Sequence, residues 1–255
     1  MPITDVLSIQ LYSLRELGSV DHVLDAARAA GFRHVEMIGS HLDEAKAVRA
    51  KLDARGLKGS SSHVGLAQLR DRPDAMIEAC ATLGIDELYM PAVPPEDRDM
   101  DAAGWRALGL ELGQLADRFE KNGIRLGYHN HDWELQPKEG GKTALDLIFE
   151  TAGDAPLGWQ ADIAWLARGG AVSNFWLQHL QGRLRSVHVK DIAPDGEKLN
   201  EDGWTDVGHG NLDWPQLWQI SRARGAGWMV VEHDKPADPT GFAKRSYDFL
   251  ANMTL

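Results

Sequence analysis

The feature of this chain that most narrows its fold is an alternation repeated eight times, in which a short strand-forming run is followed by a longer segment of helical period. The expected strands lie at 7–11, 34–38, 58–64, 87–91, 124–129, 158–162, 186–190 and 228–232. One crossover helix between successive strands makes the sheet parallel, because parallel neighbours need a long connection. An open doubly wound sheet of 255 residues usually has fewer strands than eight, whereas a closed barrel uses all eight and leaves no exposed edge. The expected fold is therefore one (β/α)8 barrel, a single domain over residues 1–255.

Glycines punctuate the repeat. The first helix carries Val23, Leu24, Ala27 and Ala30 and stops at Gly31; the second carries Ala45, Val48 and Leu52 and stops at Gly56. The same stop is expected at Gly84, at Gly123, and at Gly225 or Gly227. No linker or low-complexity tract divides the chain.

Composition removes several function classes. A formal net charge of −11 disfavours a nucleic acid partner, since such binding rests on Lys and Arg neutralising phosphates. No apolar run approaches the roughly 20 residues that span a bilayer, and the start carries Asp5 in place of a basic flank, so a cytoplasmic protein is expected. Cys80 is the single cysteine and follows Met76 and Ile77 at helical spacing, which reads as a core thiol and excludes a cysteine-based zinc site. No Gly-rich nucleotide fingerprint is present. A homo-oligomer stays open.

In α/β barrels the chemistry sits where strands run into the loops that follow. The polar residues there are Gln10 and Tyr12, Glu36, His63, His129 with Asn130 and His131, Asp162, His188 with Lys190, and Glu232 with His233. Asp162, His188 and Glu232 end three consecutive strands, and neighbouring strands lie ~4.8 Å apart, so their imidazole and carboxylates can share one divalent cation. The fifth strand supplies the fourth donor. His129 is preferred and His131 is the alternative, since both share one face. The cation would be Mn, Co, Zn, Fe or Mg, with Mn or Zn favoured. A lone strand-end His or Asp is more often a hydrogen-bonded structural residue; four at one level on successive strands point to a metal, because buried charges need pairing or a cation.

Glu36 reads as a substrate-hydroxyl acceptor, with an arginine partner as the structural alternative. His63, behind Ser60-Ser61-Ser62, has room to meet a substrate, and Lys190 could stabilise an enolate oxygen or form a salt bridge. Trp133, Trp165, Trp204 and Trp214 fall near the loops of this face, where aromatic rings suit the C–H surface of a sugar. The segment 191–211 is long enough to form a lid.

Several of these motifs carry a resemblance. Gly127-Tyr128-His129-Asn130-His131-Asp132-Trp133-Glu134, Ala161-Asp162-Ile163, Val187-His188-Val189-Lys190-Asp191, Val207-Gly208-His209-Gly210 before Asp213-Trp214, and Val231-Glu232-His233-Asp234 resemble the xylose isomerase-like TIM-barrel superfamily over nearly the whole chain. The resemblance implies sugar isomerase or epimerase activity with a divalent metal held by Glu, Asp, His and Glu from strands five to eight. Asp162, His188 and Glu232 match three of those places, while His129 stands where many relatives carry Glu. In epimerase relatives that Glu and the last one act as bases on opposite faces of the substrate, so its loss weakens a two-base epimerisation. Trp165 replaces a His that DNA-cleaving relatives use in a zinc cluster, which argues against a nuclease.

The expected chemistry is proton abstraction beside the carbonyl of a small-molecule keto sugar or polyol-derived ketone. Glu232 is the base, and His63, His131, Glu134 or Lys190 returns the proton. Gln10, Glu36, His131, Glu134, Trp165 and His209 are the expected substrate contacts. Two alternatives remain: a lyase or dehydratase acting on a 3-keto glycoside or keto-inositol through the same enolate, and a non-catalytic carbohydrate-binding barrel.

Overall fold

A computed structural model of the protein describes residues 2–254. Ten strands appear in chain order: β1 (Leu7–Gln10), β2 (His34–Met37), β3 (Lys58–His63), β4 (Glu87–Met90), β5 (Arg125–His129), β6 (Gly158–Asp162), β7 (Leu184–Val189), β8 (Asp191–Ile192), β9 (Trp204–Thr205) and β10 (Trp228–Val231). Eight of them close a parallel barrel in the order β1-β10-β7-β6-β5-β4-β3-β2, as the eightfold alternation predicts. Helices surround it. Among the described residues no helix is long and apolar enough to cross a membrane.

The helix over Val20–Ala30 shows how local sequence builds the outer layer. Ser19 caps it by accepting from the His22 N–H at 3.3 Å, and Gly31 ends it at φ +119°. Val23, Leu24, Ala26, Ala27 and Ala30 are buried, and burying a side chain such as Leu24 contributes about 2 kcal/mol. A Cβ at position 31 would lie 2.5 Å from the Tyr247 ring, so helix termination and packing against the last helix require the same glycine. Of the two candidate stops before β10, Gly225 takes the left-handed conformation, at φ +105°.

Strand β7 begins two residues before the expected start, at Leu184. Its pairing with β6 carries a register shift between Trp159 and Gln160, and the β2–β3 pairing carries another between Val35 and Glu36. These irregularities lie beside Gln160 and Glu36, the two residues that organise the barrel interior.

Barrel interiors are usually filled by branched apolar side chains. Here Ser8, Gln10, Glu36, Ser61, Gln160, Ser186 and His188 are all fully buried. Buried polar groups are costly unless each finds a partner, and these find one another.

The segment 191–211 is pinned. Strands β8 and β9 pair antiparallel, and the Asp191 carboxylate accepts from the backbone N–H groups of Ile192, Gly208, Gly210 and Leu212 at 2.9 to 3.3 Å. A Cβ on Gly210 would come within 2.3 Å of Asp191 Oδ1, and Gly208 takes φ +84° against the Phe249 ring, which together account for the Gly-His-Gly sequence. Asp191 thus ties both ends of the segment expected to form a lid.

Candidate active site

Four strand ends converge. His129, Asp162, His188 and Glu232, from β5, β6, β7 and the residue after β10, each offer a ligand atom within 4.8 Å of the others, and all four are buried. His188 Nδ1 lies 2.9 Å from Glu232 Oε2, while Asp162 Oδ2 lies 3.9 Å from both His129 Nε2 and His188 Nδ1.

The first half of the barrel orients this set. Glu36 accepts from Gln10 Nε2 (2.8 Å) and His188 Nε2 (2.7 Å) on Oε1, and from Ser61 Oγ (2.5 Å) and Gln160 Nε2 (2.7 Å) on Oε2. Burial opposes its charge, but His63 and His188 hold its pKa down, at about 2. Because Gln160 Nε2 donates to Glu36, Gln160 Oε1 must be an acceptor. It receives His63 Nε2 at 2.7 Å and His129 Nδ1 at 3.0 Å. The network therefore assigns the His129 proton to Nδ1 and leaves the Nε2 lone pair toward Asp162. Burial keeps His129 neutral by lowering its pKa far below the usual range.

Around Asp162 and Glu232 charge accumulates. Lys190 Nζ lies 3.1 Å from Asp162 Oδ2, 2.8 Å from Glu232 Oε2 and 3.0 Å from Asp234, and the Trp204 and Trp165 rings lie 4.8 and 5.3 Å away. Burial works against the ammonium, yet Asp162, Asp234 and Glu232 outweigh it and raise its pKa. Burial likewise opposes a charged His188, but Glu232 and Glu36 raise it to about 10. Glu232 is held well below the usual carboxylate range by Lys190 and His188 despite its burial. Burial pushes Asp234 up to about 6 and raises Asp162 as well.

The residues fit a divalent cation. His129 Nε2 is left with its lone pair by the Gln160 contact at Nδ1, and Asp162 Oδ2, although buried, makes no hydrogen bond and has the Lys190 ammonium 3.1 Å away. Four carboxylates, those of Glu36, Asp162, Glu232 and Asp234, surround the Lys190 ammonium and the His188 ring. A cation at Asp162 and Glu232 would meet Lys190 as a like charge; Asp234, with both oxygens 3.0 Å from Nζ, is placed to retain the ammonium.

A cavity of about 520 Å³ opens above the cluster. Tyr12, His63, His129, His131, Trp133, Trp165, Glu232 and Asp234 are among the residues lining it. His131 stacks on Trp133 with centroids 4.0 Å apart, and the Arg98 guanidinium lies 3.8 Å from the centre of the Trp133 ring.

The sequence profile of the family described as Xylose isomerase-like TIM barrel matches residues 24–253. The chain belongs to this family. Over 93% of its length it is 23% identical to the rhizopine catabolism protein MocC of Rhizobium meliloti, covering 83% of that protein. It is 25% identical to the inosose dehydratase of Mesomycoplasma hyopneumoniae strain 7448 over 57% of this chain and 53% of that one. A sugar phosphate isomerase/epimerase from Parabacteroides distasonis ATCC 8503 has the same fold, with a TM-score of 0.78, 19% identity and coverage of 96% and 93%.

Within this xylose isomerase-like barrel, the expected metal set comes together with His129 as the β5 member; His131 sits in the cavity wall. Of the expected substrate contacts, His131 and Trp165 line the cavity. The other four lie outside its lining. Glu36 has both oxygens occupied and is fully buried in the barrel interior, so it offers no acceptor to a substrate hydroxyl. Gln10 is spent on Glu36 and on the Tyr12 N–H. Glu134 accepts from Tyr128 Oη at 2.7 Å and from the His131 N–H at 2.8 Å, and burial raises its pKa to about 7. Its place is beneath the loop that carries His131. His209 is exposed on the tight turn held by Asp191 and does not line the cavity. Of the expected catalytic residues, Glu232 and His63 line the cavity, whereas Lys190 is completely buried below it.

Sequence reasoning missed Gln160 and Asp234. Gln160 precedes Asp162 by two residues and so shares its strand face, a signal that reading strand ends alone discards. Asp234 sits two residues past Glu232, beyond the end of β10.

Proposed function

We propose that this protein is a divalent-metal-dependent enzyme that removes a proton beside the carbonyl of a keto polyol, and that loss of a β-hydroxyl as water follows. The observation that carries this reading is the meeting of His129, Asp162, His188 and Glu232 at the floor of a cavity with aromatic walls. A cation held by those four residues would supply Lewis-acid polarisation of the carbonyl and charge for the developing enolate.

Glu232 is the base. It lines the cavity, and its contacts to His188 and Lys190 both fall on Oε2, which leaves Oε1 for a substrate proton. The α C–H bond breaks as Glu232 takes the proton. The β C–O bond then breaks, a C=C bond forms, and the same carboxylate returns its proton to the departing hydroxyl, releasing water. Lys190 and His188 keep Glu232 ionised between turnovers. Trp133, Trp165 and His131 provide faces against which the C–H surface of a ring polyol can rest.

One observation favours elimination over two-base epimerisation. The β5 position facing Glu232 across the cluster carries the imidazole of His129, already committed through Nδ1 to Gln160, and no carboxylate. The name of the inosose dehydratase relative agrees with elimination, and the isomerase/epimerase neighbour keeps reprotonation as the second outcome.

The test is incubation with a keto-inositol or a ketose, followed by mass spectrometry. A product lighter by one water supports elimination; a product of unchanged mass with a moved carbonyl supports isomerisation. Turnover should disappear on chelation and return with Mn2+, Co2+ or Zn2+. Full activity in the chelated protein would remove the metal from the account.

A further inference from the structure

We propose that this site selects a late first-row cation such as Co2+ or Zn2+ over Mn2+ and Mg2+, and that Gln160 is the positioning residue that makes His129 a ligand. The inference rests on the metal reading above and adds which metals the site takes and why. The donor set is two imidazole nitrogens and two carboxylates, whereas an oxygen-rich set would suit Mg2+ or Mn2+. Each imidazole has its non-ligating nitrogen tied down. His188 Nε2 lies 2.7 Å from Glu36 Oε1, which turns Nδ1 toward the cluster. His129 Nδ1 lies 3.0 Å from Gln160 Oε1, which turns Nε2 toward it.

Gln160 has no freedom to reverse its amide. Its Nε2 donates to Glu36 Oε2 at 2.7 Å and to Ser186 Oγ at 3.2 Å, and a flipped amide would set its oxygen against the Glu36 carboxylate. Its Oε1 then accepts from both His63 and His129, so all four of its hydrogen-bonding positions are filled. His129 is thus preorganised to ligate through Nε2 before any ion arrives, while His188 Nδ1, 2.9 Å from Glu232 Oε2, must give up its proton to do so. Reorienting His129 would cost the Gln160 bond and leave a buried acceptor short of a partner.

The experiment is calorimetric titration of the full chain, stripped by a chelator, with CoCl2, ZnCl2, MnCl2 and MgCl2 in turn. Wild type should bind one Co2+ or Zn2+ about a hundredfold tighter than Mn2+, with Mg2+ weaker still. His129→Glu, checked for fold by circular dichroism, should narrow the Co2+ to Mn2+ ratio at least tenfold and shift the visible absorption of the Co2+ form. An unchanged ratio and spectrum would overturn the preference while leaving a metal site in place; no stoichiometric binding of any of the four ions would overturn the metal reading itself. Imidazole 15N NMR of unsubstituted protein gives a check free of folding effects. The Nδ1–H tautomer is expected for His129 without metal, and an Nε2–H tautomer contradicts the role given to Gln160.

Discussion

In the half of the barrel built by β1 to β4, Gln10, Glu36 and Ser61 spend their polar atoms on one another and on residues across the barrel, whereas at the ends of β6 and β10 Asp162 Oδ2 makes no hydrogen bond and Glu232 meets His188 and Lys190 through Oε2 alone. His129 Nε2 has only a 3.9 Å contact to Asp162. Both halves use buried His and carboxylate residues, so residue type does not separate structure from chemistry here. Saturation does. A carboxylate with four donors, as Glu36 has, is a fixed reference point; one left short of partners is available to a cation or a substrate.

The sharpest way to break this comparison is to remove the reactive carboxylate of the second half. Glu232→Gln should lower kcat about a thousandfold on the substrate identified by mass spectrometry, while the far-UV circular dichroism stays unchanged. Retention of more than a tenth of the activity would mean that Glu232 is not the base.

The corresponding change in the first half should act on binding. Glu36→Gln places an amide where His188 Nε2 now finds a carboxylate, so Co2+ affinity measured by titration should fall about tenfold to a hundredfold. An unaltered affinity would show that the saturated half does not orient the other.

Glu134 tests whether saturation alone makes a buried carboxylate benign. It has two donors and a pKa raised from 4.5 to about 7, so the folded state holds its proton more tightly than the unfolded chain does. Its contribution to stability is fully present below pH 4.5 and is lost as pH rises through about 7. Urea unfolding at pH 5 and pH 8 should show Glu134→Gln gaining on wild type by about 2 kcal/mol over that interval. Parallel pH profiles for the two proteins would contradict the assignment.

The smallest expected effect lies at the cavity wall. Trp133→Ala should raise KM about fivefold with kcat nearly unchanged, since it removes a stacking face worth about 1 kcal/mol and touches no donor of the cluster. A large fall in kcat would place Trp133 in the chemistry.

The eight strands and the four converging donors were legible in the sequence because both depend on short-range periodicity: where a strand ends, and which residues two apart share its face. Asp162 and Glu232 are visible as the last residue of their runs, and His188 as the polar residue on the same face two places before the end of its own. The roles of Glu36 and Gln160 were not legible. They meet across 124 residues of sequence, beside register shifts at Val35/Glu36 and Trp159/Gln160 that no local pattern announces. The same holds for Lys190, which ends a strand as an active-site lysine would, yet is drawn below the cavity floor by three carboxylates from β6 and from the loop after β10.

The account stands on one cation shared by four side chains, and anomalous diffraction from crystals soaked in MnCl2 or CoCl2 tests it most directly. One peak about 2.2 Å from His129 Nε2, Asp162, His188 Nδ1 and Glu232, with Lys190 held by Asp234, is the predicted result. Crystals that take up metal elsewhere while Lys190 keeps its place between Asp162 and Glu232 would contradict it.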